Sequence, residues 1–346
     1  MILAISIPTY ATSAEQHPIE QNISVNGYDF VISEEITSNY EISRTYSRDT
    51  NSLFRSSVDI EETQALLLAL GMDNDEINAI PEDTLLDYAT GKEITVITSY
   101  SKYNESTKTT TNLPKDIAIR AAESISKQQE EYILGNQENV QTFGNKPNQS
   151  TTPGTFKDSY MRITHSAINL GNGSYKFTTS ATWLSMPVFR GYDSVGSCAM
   201  NTTVTPNTSY GKYWYTTKIY GITDVTTSHS GNIEITNRHN PVNGNWYGSA
   251  GIFNLPNDTS GSGMSIINID LHAYYEYKGH VSDPKDEHYF NTVGTYCHST
   301  IGIGINPSIS INFSKGVSAS ATIGLQLISG KDIRSAEHEI HYIPKK

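Results

Sequence analysis

The residues best spaced for chemistry lie in the stretch 264–277. There Ile267, Ile269, Leu271, Ala273 and Tyr275 alternate with Asn268, Asp270, His272, Tyr274 and Glu276. On a β-strand, residues two apart share a face at about 6.6–6.8 Å. Asp270 and His272 are therefore spaced as a carboxylate–imidazole pair, suited to holding a metal or to acid–base work. The same alternation also describes an ordinary polar sheet face, which is the commoner arrangement.

Other constellations are weaker. The loop GHVSDPKDEHYF (279–290) concentrates His280, Asp283, Asp286, Glu287 and His288, but without the spacing of a calcium-binding helix–loop–helix. A solvated loop is its simpler reading. Ala336–His341 is one residue short of H-E-x-x-H, and on a strand His338 and His341 face opposite ways. No nucleophile elbow, phosphate loop or dinucleotide fingerprint is present, so the sequence implies no cofactor and no catalytic residue. The aromatics offer a different chemistry. Trp183, Trp214, Trp246 and Tyr247 are candidate platforms for stacking on sugar rings, although aromatic residues are also plain strand formers.

The most regular stretch is 301–327, IGIGINPSISINFSKGVSASATIGLQL. Twelve of its fourteen odd positions are apolar, the exceptions being Pro307 and Lys315, and no even position is. This predicts a long β-hairpin with strands at 301–313 and 317–327 and a turn at Ser314-Lys315-Gly316. Its length and near lack of charge suit a membrane-inserting hairpin. Against that stand Pro307, which cannot donate to a ladder, and the absence of flanking aromatics. An ordinary sandwich hairpin reads the same way.

Around these stretches the composition is polar and low in charge: 36% hydrophobic and 17% charged residues, with 22 tyrosines. That mix fits a β-rich extracellular protein. The net charge of −12 is uneven. Residues 1–150 carry 23 acids and 10 Lys/Arg, and residues 151–346 carry 13 and 14. No basic footprint for nucleic acid exists. The start, MILAISIPTYATSAEQ, reads as the remnant of a secretory signal over 1–14. Two cysteines, Cys198 and Cys297, suit one disulfide in an oxidising compartment, with two separate buried thiols as the alternative.

Residues 15–134 form an acidic, partly helical region. Asp59 is a candidate N-cap for a helix carrying Leu66, Leu67 and Leu70. A short helix follows Asp73, and a third runs from Pro81 to Gly91. A strand near 94–103 and a helix over 114–134 follow. Residues 135–155, rich in Gly, Asn, Gln and Pro, read as a linker. From 156 to 346, about ten alternating strands predict an antiparallel β-sandwich, with Asn172-Gly173 as a hairpin turn. The fold class is mainly β.

The run SYMRITHSAINLGNGSYKFTTSATWLSMPVFRGYDSVGSCAMNTTVTPNTS (159–209), with TYCHSTIGIGINPSISINFS (295–314), resembles a family of secreted proteins from Gram-positive bacteria with no assigned activity. The resemblance covers the second half and extends to the Leu66–Ala89 helices. It implies secretion and a shared β fold and carries over no catalytic residue. Three functions follow as expectations. The first is a secreted, non-catalytic surface or ligand-binding protein, with cell-surface polysaccharide as ligand. The second is a membrane-active protein that deploys 301–327 at a membrane surface, restrained by an acidic pro-region. The third is a metal-assisted hydrolase using Asp270 and His272.

Overall fold

Alternating strands of this length must bury one side, and strands with both sides covered must lie in the middle of a layered structure. A computed structural model describes residues 18–48, 59–135, 156–187, 190–220, 224–235, 248–256, 258–261, 264–299 and 331–344. The chain runs β1 (Ile19–Val25), β2 (Tyr28–Ile36), β3 (Ile42–Ser47), α1 (Ile60–Ala69), α2 (Asn74–Ala79), α3 (Glu82–Thr90), β4 (Glu93–Asn104), β5 (Thr109–Asn112) and α4 (Lys115–Gly135). It continues through β6 (Asp158–Gly171), β7 (Ser174–Trp183), β8 (Tyr192–Ala199), β9 (Thr202–Val204), β10 (Tyr210–Tyr220), β11 (Val225–Asn232) and β12 (Glu234–Ile235). Last come β13 (Gly248–Asn254), β14 (Thr259–Gly261), β15 (Met264–Val281), β16 (His288–Ser299) and β17 (Lys331–Tyr342).

The fold is mainly β and sandwich-like, and its sheets are antiparallel. One sheet of twelve strands follows the path β1-β2-β3-β4-β6-β7-β15-β10-β11, with β5, β9 and β14 pairing at its sides. A second sheet has the order β12-β13-β8-β16-β17. Strand β4 pairs with β6 from Glu93–Asn169 to Asn104–Asp158. The strands of the acidic region and those after residue 156 thus share one sheet across the 135–155 stretch. The β6–β7 turn has Asn172 and Gly173 at φ +55° and +75°, the left-handed pair that a tight hairpin asks of Asn-Gly.

Parity sets the three layers. Odd residues of β6, β7 and β15, among them Met161, Ile163, Phe177, Trp183, Leu271 and Tyr275, pack against Val195, Phe253, Phe290 and Tyr296 of the second sheet. The other face of the twelve-stranded sheet carries the helices. Leu66, Leu67, Leu70, Ile77 and Tyr88 cover Ile94, Val96, Ile168 and Tyr274 there. Asp59 caps α1 by accepting from the Glu62 amide, and Asp73 with Glu76 forms a full capping box on α2.

Charge crosses the same helix–sheet interface. Arg162 of β6 meets Asp73 and, at 3.0 Å, Glu76. Lys176 of β7 lies 3.2 Å from Asp87 and 3.0 Å from Glu276. The Tyr88 hydroxyl lies against Ser166 and Thr178 on the sheet.

The expected disulfide is absent: Cys198 and Cys297 are both buried and not bonded to each other. The register explains it. Cys198 pairs with Val293, and Cys297 pairs with Ser194 on the neighbouring strand. The two cysteines are offset by four ladder steps, about 13 Å, well beyond the ~7 Å limit for bridging.

Candidate functional site

The residues singled out for chemistry do not assemble into one centre. A bulge interrupts β15 opposite Trp214 and Thr216, and Asp270 has φ +51°. The extra residue breaks the period of two that put Asp270 and His272 side by side. Asp270 is exposed, whereas His272 is buried against Trp214, their rings parallel at 4.8 Å. His272 Nδ1 lies 3.2 Å from Thr182 Oγ1, and burial lowers the imidazole pKa. Among the described residues no group of three His, Cys, Asp or Glu side chains is placed to hold a metal. His341 on β17 pairs instead with Glu287 at 2.7 Å and stacks on exposed Tyr289.

The aromatic candidates divide. Trp183 is only 4% exposed; it is a core residue, not a platform, because its odd parity on β7 turns it between the sheets. Trp214 is half-buried, with Lys212 Nζ 5.9 Å from its ring centre. Trp246 and Tyr247 lie outside the described residues. A row of aromatic rings runs along β10 and β11, where Tyr213 and Tyr215 belong to the aromatic run of the sequence and His229 does not. The Tyr213 and Tyr215 rings are parallel at 6.5 Å, and His229 stacks on Tyr215 at 5.0 Å.

A buried polar cluster sits where β16 and β17 reach the limit of the described residues. His298 stands in the ladder between Asp193 of β8 and Asp332 of β17. Its Nδ1 lies 2.9 and 3.0 Å from the two Asp193 oxygens, and the Tyr296 hydroxyl donates to the same carboxylate. Burial opposes the charged imidazolium, but Asp193 and then Asp332 outweigh it, and the His298 pKa is raised. On β17, Arg334 Nε donates to Asp332 at 3.0 and 2.9 Å, and Arg334 Nη2 reaches Ser159 of the other sheet at 3.0 Å. Thr110 of β5 donates to Asp332 at 3.1 Å. The Arg334 guanidinium lies 4.7 Å from the Trp183 ring centre, and Trp183 Nε1 donates to the Tyr296 hydroxyl. The cluster fixes β8, β16 and β17 to one another and to the twelve-stranded sheet.

These charged residues were visible in the sequence only as interruptions of apolar alternation at Asp193, Asp332 and Arg334. Apart from the Asp332–Arg334 pair within β17, their partners come from other strands. Residues 301–327, the expected long hairpin, lie outside the described residues. On either side of them the described chain pairs: Ser299 and Lys331 face each other as the last described pair of the β16–β17 ladder.

One further concavity, of ≈ 350 Å³, lies between α4 and the ends of β7, β10 and β15. Trp183 and Asp270 both line it, and the buried Arg190–Asp258 ion pair, at 2.6 Å, contributes to its wall.

No family model and no curated protein matches the chain. Among solved structures the chain is similar to Clostridium perfringens delta-toxin, at 7% identity over 54% of this chain and 86% of that chain, with a TM-score of 0.22. A likeness of that size carries no argument about activity.

Proposed function

We propose that this is a secreted, membrane-active protein, and that residues 300–330 act as an amphipathic β-hairpin that extends the β16–β17 ladder into a bilayer. Register supports the reading. Every β16–β17 pair, from His288–Tyr342 to Ser299–Lys331, is centred on position 315. The sequence independently sets its turn at Ser314-Lys315-Gly316. A ladder with that centre pairs odd positions with odd, so the apolar faces of both arms coincide. Each arm of about 15 residues spans about 50 Å when extended, more than the ~30 Å hydrocarbon core. Lys315 falls at the tip, where a charge is cheapest. Tyr192, 41% exposed, stands at the rim beside Asp193, where a tyrosine suits a membrane interface. In this reading the acidic half is scaffold and not a removable restraint, because removing it would strip β4 from β6 along its whole length.

The test is release of a trapped dye from liposomes by the full chain and two variants. Ile311→Arg puts a charge on the lipid side, at a cost of about 2–4 kcal/mol near the midplane. Ser310→Arg puts the same charge on the opposite face. Release by the wild type and by Ser310→Arg, with loss in Ile311→Arg, is the expected outcome. No release from neutral or anionic vesicles, or equal loss in both folded variants, overturns the reading.

A second reading, a non-catalytic surface protein that binds polysaccharide, draws support from the Tyr213–Tyr215–His229 row on a strand pair whose outer member is exposed. Folded Tyr215→Ala that still binds cell-wall polysaccharide as the wild type does would rule it out.

A further inference from the structure

The five-stranded sheet has two faces, and the described residues account for the cover of one. The inner face meets the twelve-stranded sheet through Val195, Phe253, Phe290 and Tyr296. Alternation sends the intervening residues outward. The ladders place Cys198, Val293 and Glu337 in one outer row, and Ile252, Ser194, Cys297 and Ile333 in another. Cys198, Val293, Ala250 and Cys297 are all 0% exposed on this face, and Ile252 is 8% exposed. Among the described elements, the strands that pack on β8, β13, β16 and β17 from outside their own sheet are β4, β5, β6, β7, β9 and β15, which belong to the inner side. The centre of this face, at Cys198, Val293, Ala250 and Cys297, is buried and needs a cover of its own, while Ile333 and Glu337 towards the β17 edge are half-buried.

We propose that the outer face of the five-stranded sheet is the docking surface for residues 301–327 of this same chain. Three observations single out this occupant. The 300–330 stretch leaves from Ser299 and returns at Lys331, which belong to the very strands that form the face. It is the longest internal stretch outside the described residues. Its apolar residues alternate with polar ones, so that as strands they would share one side, and the centre of the acceptor face mixes small residues (Ser194, Gly196, Cys198, Ala250, Cys297) with apolar Ile252 and Val293, a surface that a one-sided apolar strand pair fits. Docking buries the apolar side that would otherwise face water. It gives the hairpin a resting place from which the membrane reading would release it, but it stands without that reading.

The two cysteines are built-in reporters. Burial pushes the Cys198 thiol up, with Glu337 adding to the effect, so it reacts only when uncovered. The experiment is alkylation of the folded full chain by a maleimide, without lipid. Four serines in place of Ile309, Ile311, Ile323 and Leu325 should leave the fold intact by circular dichroism. They should speed labelling of Cys198 and Cys297 by about tenfold or more, the effect of weakening local protection by ~1.4 kcal/mol. Unchanged protection in the folded variant overturns the proposal. If the variant fails to fold, a photo-crosslinking residue at position 311 of the otherwise unaltered chain replaces it. Crosslinks to β8, β13 or β16 peptides support the docking, and crosslinks confined to other segments overturn it. Since no membrane is present, failure of dye release leaves this result standing, and the converse holds too.

Discussion

Replacing Lys176 by Met should loosen the helices from the sheet by a predictable amount. Lys176 is 1% exposed and lies 3.0 Å from Glu276, itself 3% exposed. Removing one partner of a buried ion pair costs about 3–5 kcal/mol, because the other charge stays buried and uncompensated. Two features favour the lower end. Glu276 keeps hydroxyl donors from Thr84 at 2.7 Å and Tyr274 at 2.5 Å. Asp87 keeps Lys278 at 3.0 Å. A loss of about 3 kcal/mol, against an unfolding entropy of about 0.7 kcal/mol/K for a chain this long, lowers Tm by about 4 °C. Chemical denaturation, followed by far-ultraviolet circular dichroism and by tyrosine fluorescence, reads the free energy directly. The double variant Lys176→Met, Glu276→Gln should recover more than half of the loss, since it removes the orphaned charge and keeps an acceptor for both hydroxyls. A single variant within about 0.5 kcal/mol of the wild type would refute the reasoning, as would a double variant no better than the single.

Glu41 accepts from the Glu337 amide at 3.1 Å, and burial, with Glu337 adding to it, raises its pKa to about 7. A raised carboxyl contributes stability below its unfolded pKa and loses it as pH rises toward 7. Glu41→Gln should therefore stabilise the protein at pH 8, by up to about 3 kcal/mol, and change little at pH 4, as read from Tm against pH. His165 is the opposite case: burial drives its pKa to about 3, so its contribution is present above pH 6.5 and falls away on acidification. A His165→Gln variant that softens acid unfolding would bear this out, and an unchanged acid limb would not. Trp183→Ala should cost about 3–5 kcal/mol of stability as a core cavity; a near-neutral change would mean that the ring is not buried as described. Denatured under non-reducing conditions, the chain should take two alkyl groups, whereas a Cys198–Cys297 bond would leave none.

Much of the architecture was legible. Strict alternation gave the strands around Met161–Trp183, and the helix signals at Asp59, Pro81 and Gly91 lie where the helices start and stop. The sites were less legible for physical reasons. The Asp270–His272 pair assumed an unbroken strand, and a single aspartate in the left-handed region removes that assumption without leaving a mark in hydropathy. The disulfide assumed that two cysteines turned to the core meet; both sit instead on the outer face of the five-stranded sheet, four ladder steps apart. Whether they do depends on the β8–β16 register, which is a tertiary fact. The Arg190–Asp258 ion pair closes between loop positions 68 residues apart, a juxtaposition that the sequence does not declare.

The charge asymmetry shows how a composition signal acquires meaning only in the fold. An excess of acids in residues 1–150 against near neutrality afterwards looks like the boundary between two independent units. In three dimensions it is in part complementarity across one interface. Asp73 and Glu76 of the α2 cap and helix meet Arg162, and Asp87 of α3 meets Lys176 and Lys278, so acidic helices seat on basic positions of β6, β7 and β15. The pairing is directional. A sheet face that carries buried cations cannot be left bare in water without reorganisation, and helices rich in carboxylates have little apolar core of their own. Each side therefore requires the other. The sheet carries a second set of polar ties at the far side of the molecule. The twelve-stranded sheet, clamped by helices on one face, gives Ser159 and Thr110 a fixed position from which to hold Arg334 and Asp332. The same two residues thereby tie β17, next to the last described pair of the β16–β17 ladder, to the twelve-stranded sheet.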